Sequence, residues 1–270
     1  MKTIIEELWN VRDSLNSESL KEPEIKKAIL DTIDKLDSGK IKVAYKDKDG
    51  VWIVNEWVKK AIIMFMKVSQ NYIMNDGAHK YFDKIPLKFD GWDNVKFETS
   101  GIRVAPNCTV RKGCFIEKGA VLMPSFINIG SYIGEGTVID TWSSIGSCAQ
   151  IGKNCHIGNG VGIGGVLEPI SSKPVIIEDN CIIGAKSEIS EGVIIEEGSV
   201  ISIGVCLGRN TKIYDKESGQ VFYGRVPAKS VVVAGSLPSD DGTYTTYCAI
   251  IIKRLDEILT TKKYPHEIFE

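Results

Sequence analysis

Between residues 104 and 213 the chain places an aliphatic residue at nearly every sixth position. The series runs Val104, Val110, Ile116 and Leu122, takes one five-residue step to Ile127, and continues through Ile133, Ile139, Ile145, Ile151, Ile157 and Ile163. After a gap of fourteen it resumes at Ile177, Ile183, Ile189, Ile195, Ile201, Leu207 and Ile213. A helix repeats every 3.6 residues and a strand every two, so neither accounts for a period of six. Small residues lie four positions after many of these aliphatics (Ser131, Thr137, Ser143, Ala149, Cys155, Cys181, Ser187, Ser199, Thr211), and glycine often follows directly, as at 134, 146, 152, 158, 164, 184 and 208.

A six-residue unit is long enough for one short strand and one turn. Three units close a triangular coil, and coils stack with parallel strands about 4.8 Å apart. The aliphatic points into the prism, the small residue fits the corner, and glycine is expected to relieve strain at the turn. The spacing therefore predicts a parallel β-helix of hexapeptide repeats over 96–233. Its two breaks of phase predict loops leaving the prism near 164–176 and 214–225. Such loops on a rigid solenoid often carry sites, and equally they pack between neighbours or cap the stack.

Residues 1–95 lack the six-fold period. Apolar positions 4, 5, 8, 11 and 15 make one helical face, and 25, 28, 29, 33 and 36 another, with Gly39 placed to end it. "IKVAYKDKDGVWIV" reads as a hairpin around Asp49-Gly50. "NEWVKKAIIMFMKV" reads as a buried helix with Asn55 as its cap. This predicts a mostly helical N-terminal domain. In the C-terminal segment, 234–270, "YCAIIIKRLDEILTT" follows "KSVVVAG" and predicts a closing strand and helix.

The 270 residues are 43% hydrophobic and 25% charged, a globular composition, and the formal charge of −2 gives no reason to expect nucleic acid or a membrane as partner. "MKTIIEELWNVRDSL" interrupts its apolar pattern with charge and is expected to be neither a signal peptide nor a membrane span, which points to a cytoplasmic chain. Seven cysteines without a C-x-x-C pair read as reduced, mostly buried thiols. The three histidines, His79, His156 and His266, supply only one to the repeat, too few for a histidine-ligated zinc, so no metal is expected. His156 precedes Ile157 and so points outward, as a general base or as an ordinary surface side chain.

Asp140 directly follows Ile139. Glu178 and Glu196 occupy the same place in their repeats, so spacing alone leaves Asp140 either a functional carboxylate or a common corner acid. The segments "YFDKIPLKF", "RVAPNCTVRKGCFI", "VLMPSFINIGSYIGEGTVIDTW", "GSCAQIGKN", "GVGIGGVLEP", "IIEDNCIIGAKSEISEGVIIEEGSVIS", "YGRVPAKSVVVAGSLPS" and "YCAIIIK" run in order from about residue 35 to 253. Together they resemble the bacterial tetrahydrodipicolinate N-succinyltransferase family. The resemblance implies a left-handed β-helix and a homotrimer. It also implies transfer of a succinyl group from succinyl-CoA to the amine of ring-opened tetrahydrodipicolinate, in diaminopimelate and lysine synthesis, with no metal and no tightly bound cofactor. By matching motif it implies Arg103 and Asp140 as substrate residues, and Asp140 and Glu188 as the carboxylates linked with activity. The chain departs from the family at Lys186, where the family often has arginine. Lysine keeps the charge and loses the bidentate fork, which puts an anion contact there in question.

These residue types suit that chemistry. A dicarboxylate substrate calls for an arginine clamp, and an attacking amine must lose a proton and develop charge beside a carboxylate. Counting repeats from Ile139 to Ile189 gives seven or eight steps, depending on what the fourteen-residue gap hides. Neither number is a multiple of three. Asp140 and Glu188 of one chain are therefore expected on different faces, and neighbouring subunits would have to bring them to one site. Two alternatives stay open: an acetyltransferase acting on the same or another amine, and a non-enzymatic trimeric β-helix scaffold.

Overall fold

In a computed structural model, residues 1–13, 22–75 and 80–259 are described. From Arg103 onward the chain winds into coils of two-residue strands that form three parallel sheets. One face carries Val104, Leu122, Ile139, Ile157, Ile183, Ile201 and Val232 in register, with Arg103 and His156 pointing outward from it. The second carries Val110, Ile127, Ile145, Ile163, Ile189 and Leu207, with Glu188 outward. The third carries Ile116, Ile133, Ile151, Ile177, Ile195 and Val226, with Gln150 outward. They are called here the His156, Glu188 and Gln150 faces. The aliphatics stack in one continuous core, nearly all without solvent exposure.

The small residue does more than fit a corner. Thr137 Oγ1 donates to Gly152 O (2.7 Å) and accepts from Cys155 N (2.9 Å), so one buried hydroxyl ties a coil to the next. Ser143 and Ser187 make the same pair of bonds one and seven strands on. Cys155 and Cys181 donate their thiols to Glu178 O and Glu196 O (3.0 and 3.2 Å), which explains thiols at this position.

The glycines that follow the aliphatics do not adopt positive φ, contrary to expectation. They are needed because the next coil passes too close: a Cβ on Gly134 would lie 2.4 Å from Gly152 O, and one on Gly146 2.1 Å from Gly165 N. The left-handed turn residue comes three places after the aliphatic instead. Gly130, Gly136 and Gly160 fill it, as do Asn154, Asn180, Trp142 and Lys186. A second correction concerns Ile213. Its strand, Ile213–Asp215, leaves the prism to pair with Val221–Phe222 and Thr245–Arg254, and Val226 takes the place stacked on Ile195. The last coil is completed by Ser230–Pro238, which returns as a hairpin through Thr245–Arg254. No helix follows among the described residues: the chain is irregular from Leu255 to Leu259, and the rest of the expected closing helix lies outside them.

Helices α1 (Lys2–Asn10), α2 (Pro23–Asp37) and α3 (Glu56–Val68) pack together through Ile5, Leu8, Ile29, Ile33, Leu36, Val58, Ile62 and Phe65. Leu15, expected to extend the first, lies outside the described residues. The same core takes in Ile129 and Cys148 of the coils, so the helices cover the Gln150 face. The Ala44–Lys46 and Trp52–Val54 hairpin forms as expected, its turn held by Asp47 Oδ1 accepting from Asp49 N and Val51 N (2.9 Å each). Asn55 does not cap α3; its side chain donates to Lys42 O (2.8 Å). Two elements escaped the sequence reading. One is a second hairpin, Tyr72–Asn75 with Lys80–Asp83. The other is α4 (Asn94–Ser100), whose signals were Asp93 accepting from Lys96 N at its start and Gly101 at φ 65° at its end.

Buried lysines join helices to coils. Lys88 Nζ reaches Asp37 Oδ1 (3.0 Å) and Asp37 O (2.9 Å). Lys59 is fully buried, and its Nζ donates to Pro169 O, Ile170 O and Ser172 O (3.2, 3.0 and 2.9 Å) in the loop ejected between Ile163 and Ile176. Burial lowers the pKa of this ammonium, Glu56 and Glu168 draw it back up, and the three carbonyls accept its hydrogen bonds. Lys59→Met is expected to lower stability by about 2 kcal/mol, the cost of carbonyls left without a donor. Amide exchange in the 164–176 loop should rise with it. A variant with an unchanged melting temperature and unchanged loop exchange would show that the loop holds itself.

Candidate functional site

Asp140 opens the corner that joins the His156 face to the Glu188 face. Its N–H donates to Ile157 O (2.9 Å), fixing the backbone, and its Oδ1 accepts from Thr141 N (2.6 Å) and Thr141 Oγ1 (3.2 Å). One carboxylate oxygen is thus held, and the other has no hydrogen-bond partner among the described residues. The carboxylate lines an open groove of about 350 Å³ with His156, Gly158, Asn159 and the run Ile182–Ala185. The coil geometry builds this groove: Val138 and His156 are register partners on adjacent coils, and glycines at 158 and 184 leave its floor without side chains. His156 and Asp140 therefore line one groove.

Arg103 stands exposed at the N-terminal edge of the same face. Its register partner is Val121, whose next partner is Val138, which puts it two coils from Asp140, about 10 Å along the axis. Its guanidinium makes no hydrogen bond or ion pair within the described residues.

Glu188 lies on the neighbouring face. Seven strand steps separate the Val138–Ile139 strand from the Glu188–Ile189 strand, because the 164–176 loop replaces no coil strand. At three strands per coil that is about 11 Å along the axis. The Glu188 side chain folds back along its face over Gly162, where a Cβ would come 1.7 Å from its Oε2. Burial raises its pKa above the usual carboxylate range. Within one chain the two carboxylates point from different faces and do not meet.

Between these faces runs a column of left-handed corner residues, with Trp142, Gly160, Lys186 and Gly204 at φ 60–68°. Lys186 Nζ lies over Gly160, 2.5 Å from where a Cβ would be. It puts a cation at the lip of the Asp140 groove. Trp142 and Ile203 project from the same corner, 70% and 72% exposed. Trp142 and Asn159 were missed in the sequence; the available signal was a tryptophan at a repeat position that otherwise takes glycine, asparagine or another turn residue. Among the described residues no three His, Cys, Asp or Glu side chains cluster as metal ligands, and no helix is long and apolar enough to cross a membrane. His79 and His266 lie outside those residues.

Residues 1–68 match the family described as tetrahydrodipicolinate N-succinyltransferase N-terminal, 130–165 match bacterial transferase hexapeptide (six repeats), and 174–209 match hexapeptide repeat of succinyl-transferase. A 2,3,4,5-tetrahydropyridine-2,6-dicarboxylate N-succinyltransferase of Neisseria meningitidis serogroup A is 52% identical over 268 residues, covering 99% of this chain and 98% of the relative. Proteins of that name from Pseudoalteromonas translucida (53% identity, 95% of this chain, 92% of the relative) and Proteus mirabilis (52%, 95% and 93%) are similar over nearly their whole length. A putative 2,3,4,5-tetrahydropyridine-2-carboxylate N-succinyltransferase structure from Campylobacter jejuni aligns with a TM-score of 0.45 at 15% identity, over 83% of this chain and 62% of that one.

Proposed function

The chain belongs to the 2,3,4,5-tetrahydropyridine-2,6-dicarboxylate N-succinyltransferase family, and from that premise we propose that it moves the succinyl group of succinyl-CoA onto the amine of ring-opened tetrahydrodipicolinate at grooves between the subunits of a homotrimer. It is a left-handed hexapeptide β-helix enzyme of diaminopimelate and lysine synthesis, with succinyl-CoA as co-substrate. The observation that carries the site reading is the groove at Asp140, open on a face that the helical domain leaves uncovered while Glu188 points from the other uncovered face.

The geometry supports a threefold ring. The Gln150 face is occupied by the chain's own helices, and apolar residues of 252–259 pack on the C-terminal part of the His156 face, against Ile182, Val200 and Val231. Two different faces remain to meet neighbours, which is a heterologous contact, and a heterologous contact closes into a ring when the rotation fits. Each groove then has the His156 face of one subunit on one wall and the Glu188 face of the next on the other.

In such a groove the substrate amine attacks the thioester carbonyl carbon, the carbon–sulfur bond breaks, and CoA leaves as a thiolate that takes up a proton. Asp140 orients the amine and shares the positive charge that grows on it. Glu188, with its raised pKa, holds the proton the amine gives up. Arg103 clamps a substrate carboxylate, and its two-coil offset from Asp140 suits a substrate that is charged at both ends. Thiol release from a panel of acyl-CoAs with tetrahydrodipicolinate tests the reading. Succinyl-CoA should turn over best; a preference for acetyl-CoA, or no thiol from any donor, would overturn it.

The position of His156 in the Asp140 groove favours a second reading, a histidine-base acyltransferase. With Asp140 carrying the amine, His156→Ala should keep kcat within about tenfold, under 1.4 kcal/mol of transition-state stabilisation. A thousandfold loss would give the base role to the histidine.

A further inference from the structure

Asn159 lines the Asp140 groove one coil on from Asp140, and its amide is held in a single orientation. Its Nδ2 donates to Thr141 O (2.9 Å). The backbone around it is fixed as well, since Asn159 O accepts from Lys186 N and Gly160 N donates to Thr141 O (2.9 Å each). With the NH2 end committed to a carbonyl, the amide cannot flip, and Oδ1 is left as an acceptor. That oxygen has no hydrogen-bond partner among the described residues. It is not buried either: Gln150 Oε1 is the one buried side-chain polar atom there without a partner, so Asn159 Oδ1, on a half-buried residue, is open to solvent.

Asp140 is arranged in the same way on the same anchor. Its Oδ1 is taken by Thr141 N and Thr141 Oγ1, and its second oxygen is unpartnered and open. Thr141 thus holds one end of each side chain, its N–H binding Asp140 and its carbonyl binding Asn159. Ile139 and Ile157 are register partners, so Asp140 and Asn159 stand on adjacent coils, and coils stack about 4.8 Å apart. Two oxygens that share one nitrogen lie within about 5.8 Å of each other, twice an ordinary N–H···O length. A carboxylate oxygen and an amide oxygen both only accept, so the pair suits a single nitrogen that brings two hydrogens.

We infer that Asn159 Oδ1 and the free oxygen of Asp140 together hold the reacting nitrogen of the substrate by two of its hydrogens, which aims its lone pair and restricts the enzyme to primary amines. This rests on the acyl-transfer reading of the groove. The substrate arrives as an ammonium with three hydrogens. Two are held, and the third passes as a proton to Glu188, leaving the lone pair turned away from both acceptors. That pair attacks the thioester carbon. The carbon–sulfur bond breaks with its electrons on sulfur, one of the held protons goes to the thiolate, and the other stays on the amide nitrogen of the product. One acceptor alone would let the nitrogen turn about its bond to carbon; two fixed acceptors set it before the reaction begins. A secondary amine that has given up its proton keeps one hydrogen for two acceptors, and its substituent presses on the other oxygen.

The test uses the intact protein with succinyl-CoA and three acceptors: tetrahydrodipicolinate, 2-aminoheptanedioate (the ring-opened substrate without its keto group) and the N-methyl form of 2-aminoheptanedioate. Wild type should prefer the primary amine to its N-methyl form by at least about tenfold in kcat/KM, or in Ki where an acceptor binds without reacting. Asn159→Ala should lower kcat with tetrahydrodipicolinate about tenfold, keep the KM for succinyl-CoA within about twofold, and bring the preference below about threefold. A wild type indifferent to N-methylation overturns the inference, and so does Asn159→Ala with wild-type kcat. A slow Asn159→Ala that keeps the full preference makes the amide a corner tie to Thr141 and also overturns it. Should Asn159→Ala fail to fold, Asn159→Gly carries the same expectations, in a corner already flanked by Gly158 and Gly160. A wild type that releases no thiol with tetrahydrodipicolinate fails the acyl-transfer reading and this inference with it; an active wild type with an indifferent Asn159 fails this inference alone.

Discussion

Asp140→Asn should lower kcat about a hundredfold or more, roughly 2.7 kcal/mol of transition-state stabilisation, while leaving the KM for succinyl-CoA nearly unchanged. The substitution keeps the side chain's shape, and the amide oxygen can still accept from Thr141 N and Thr141 Oγ1 as Oδ1 does. The group facing the groove changes from a carboxylate oxygen to an amide NH2. That group cannot share the charge that develops on the attacking amine, so the loss falls on turnover. Arg103→Lys is the contrasting case. A clamp on a substrate carboxylate acts in ground and transition states alike, so losing its fork should raise the KM for the amine substrate more than it lowers kcat. Steady-state kinetics for both substrates, with sedimentation to confirm assembly, separates the two. A normally active Asp140→Asn enzyme would make Asp140 one more corner acid, like Glu178 and Glu196.

Mixing an inactive Asp140→Ala chain with an inactive Glu188→Ala chain should restore about a quarter of the sites. In a ring of three assembled at random from equal amounts, each groove has about one chance in four of pairing an intact Asp140 with an intact Glu188 from the next subunit. The expectation follows from the seven-strand offset, which puts the two carboxylates on different faces of one prism. Co-refolding followed by a thiol-release assay measures it. Were both carboxylates to serve one site from a single chain, no mixed trimer would contain an intact site and activity would stay at the level of the single variants. An active monomer by sedimentation would end the intersubunit reading.

The six-residue period determined the coils, because a prism three strands around demands an inward aliphatic once per strand and nothing else in the chain competes with that demand. It placed Ile139 and Ile189 as inward residues of prism strands, and with them Asp140 at a corner and Glu188 on an outward position. The period could not say whether the gap from Ile163 to Ile177 hid one step or two, since loop residues ejected from the prism carry no register; the paired strands Gly162–Ile163 and Ile176–Ile177 settled it as one. Nor did it separate Ile213, which keeps the phase and yet stacks on a hairpin, from Val226, which breaks the phase and completes the coil. A buried aliphatic looks the same in either place. The glycines show the limit most plainly. Their recurrence was visible, but the reason lay in the next coil's backbone passing where a Cβ would be, a contact between residues some eighteen or more apart in the chain. The groove at Asp140 and the unpaired oxygen of Gln150 arise in the same way, from side chains that only coil stacking and the docked helices bring together, and so tertiary structure alone decided them.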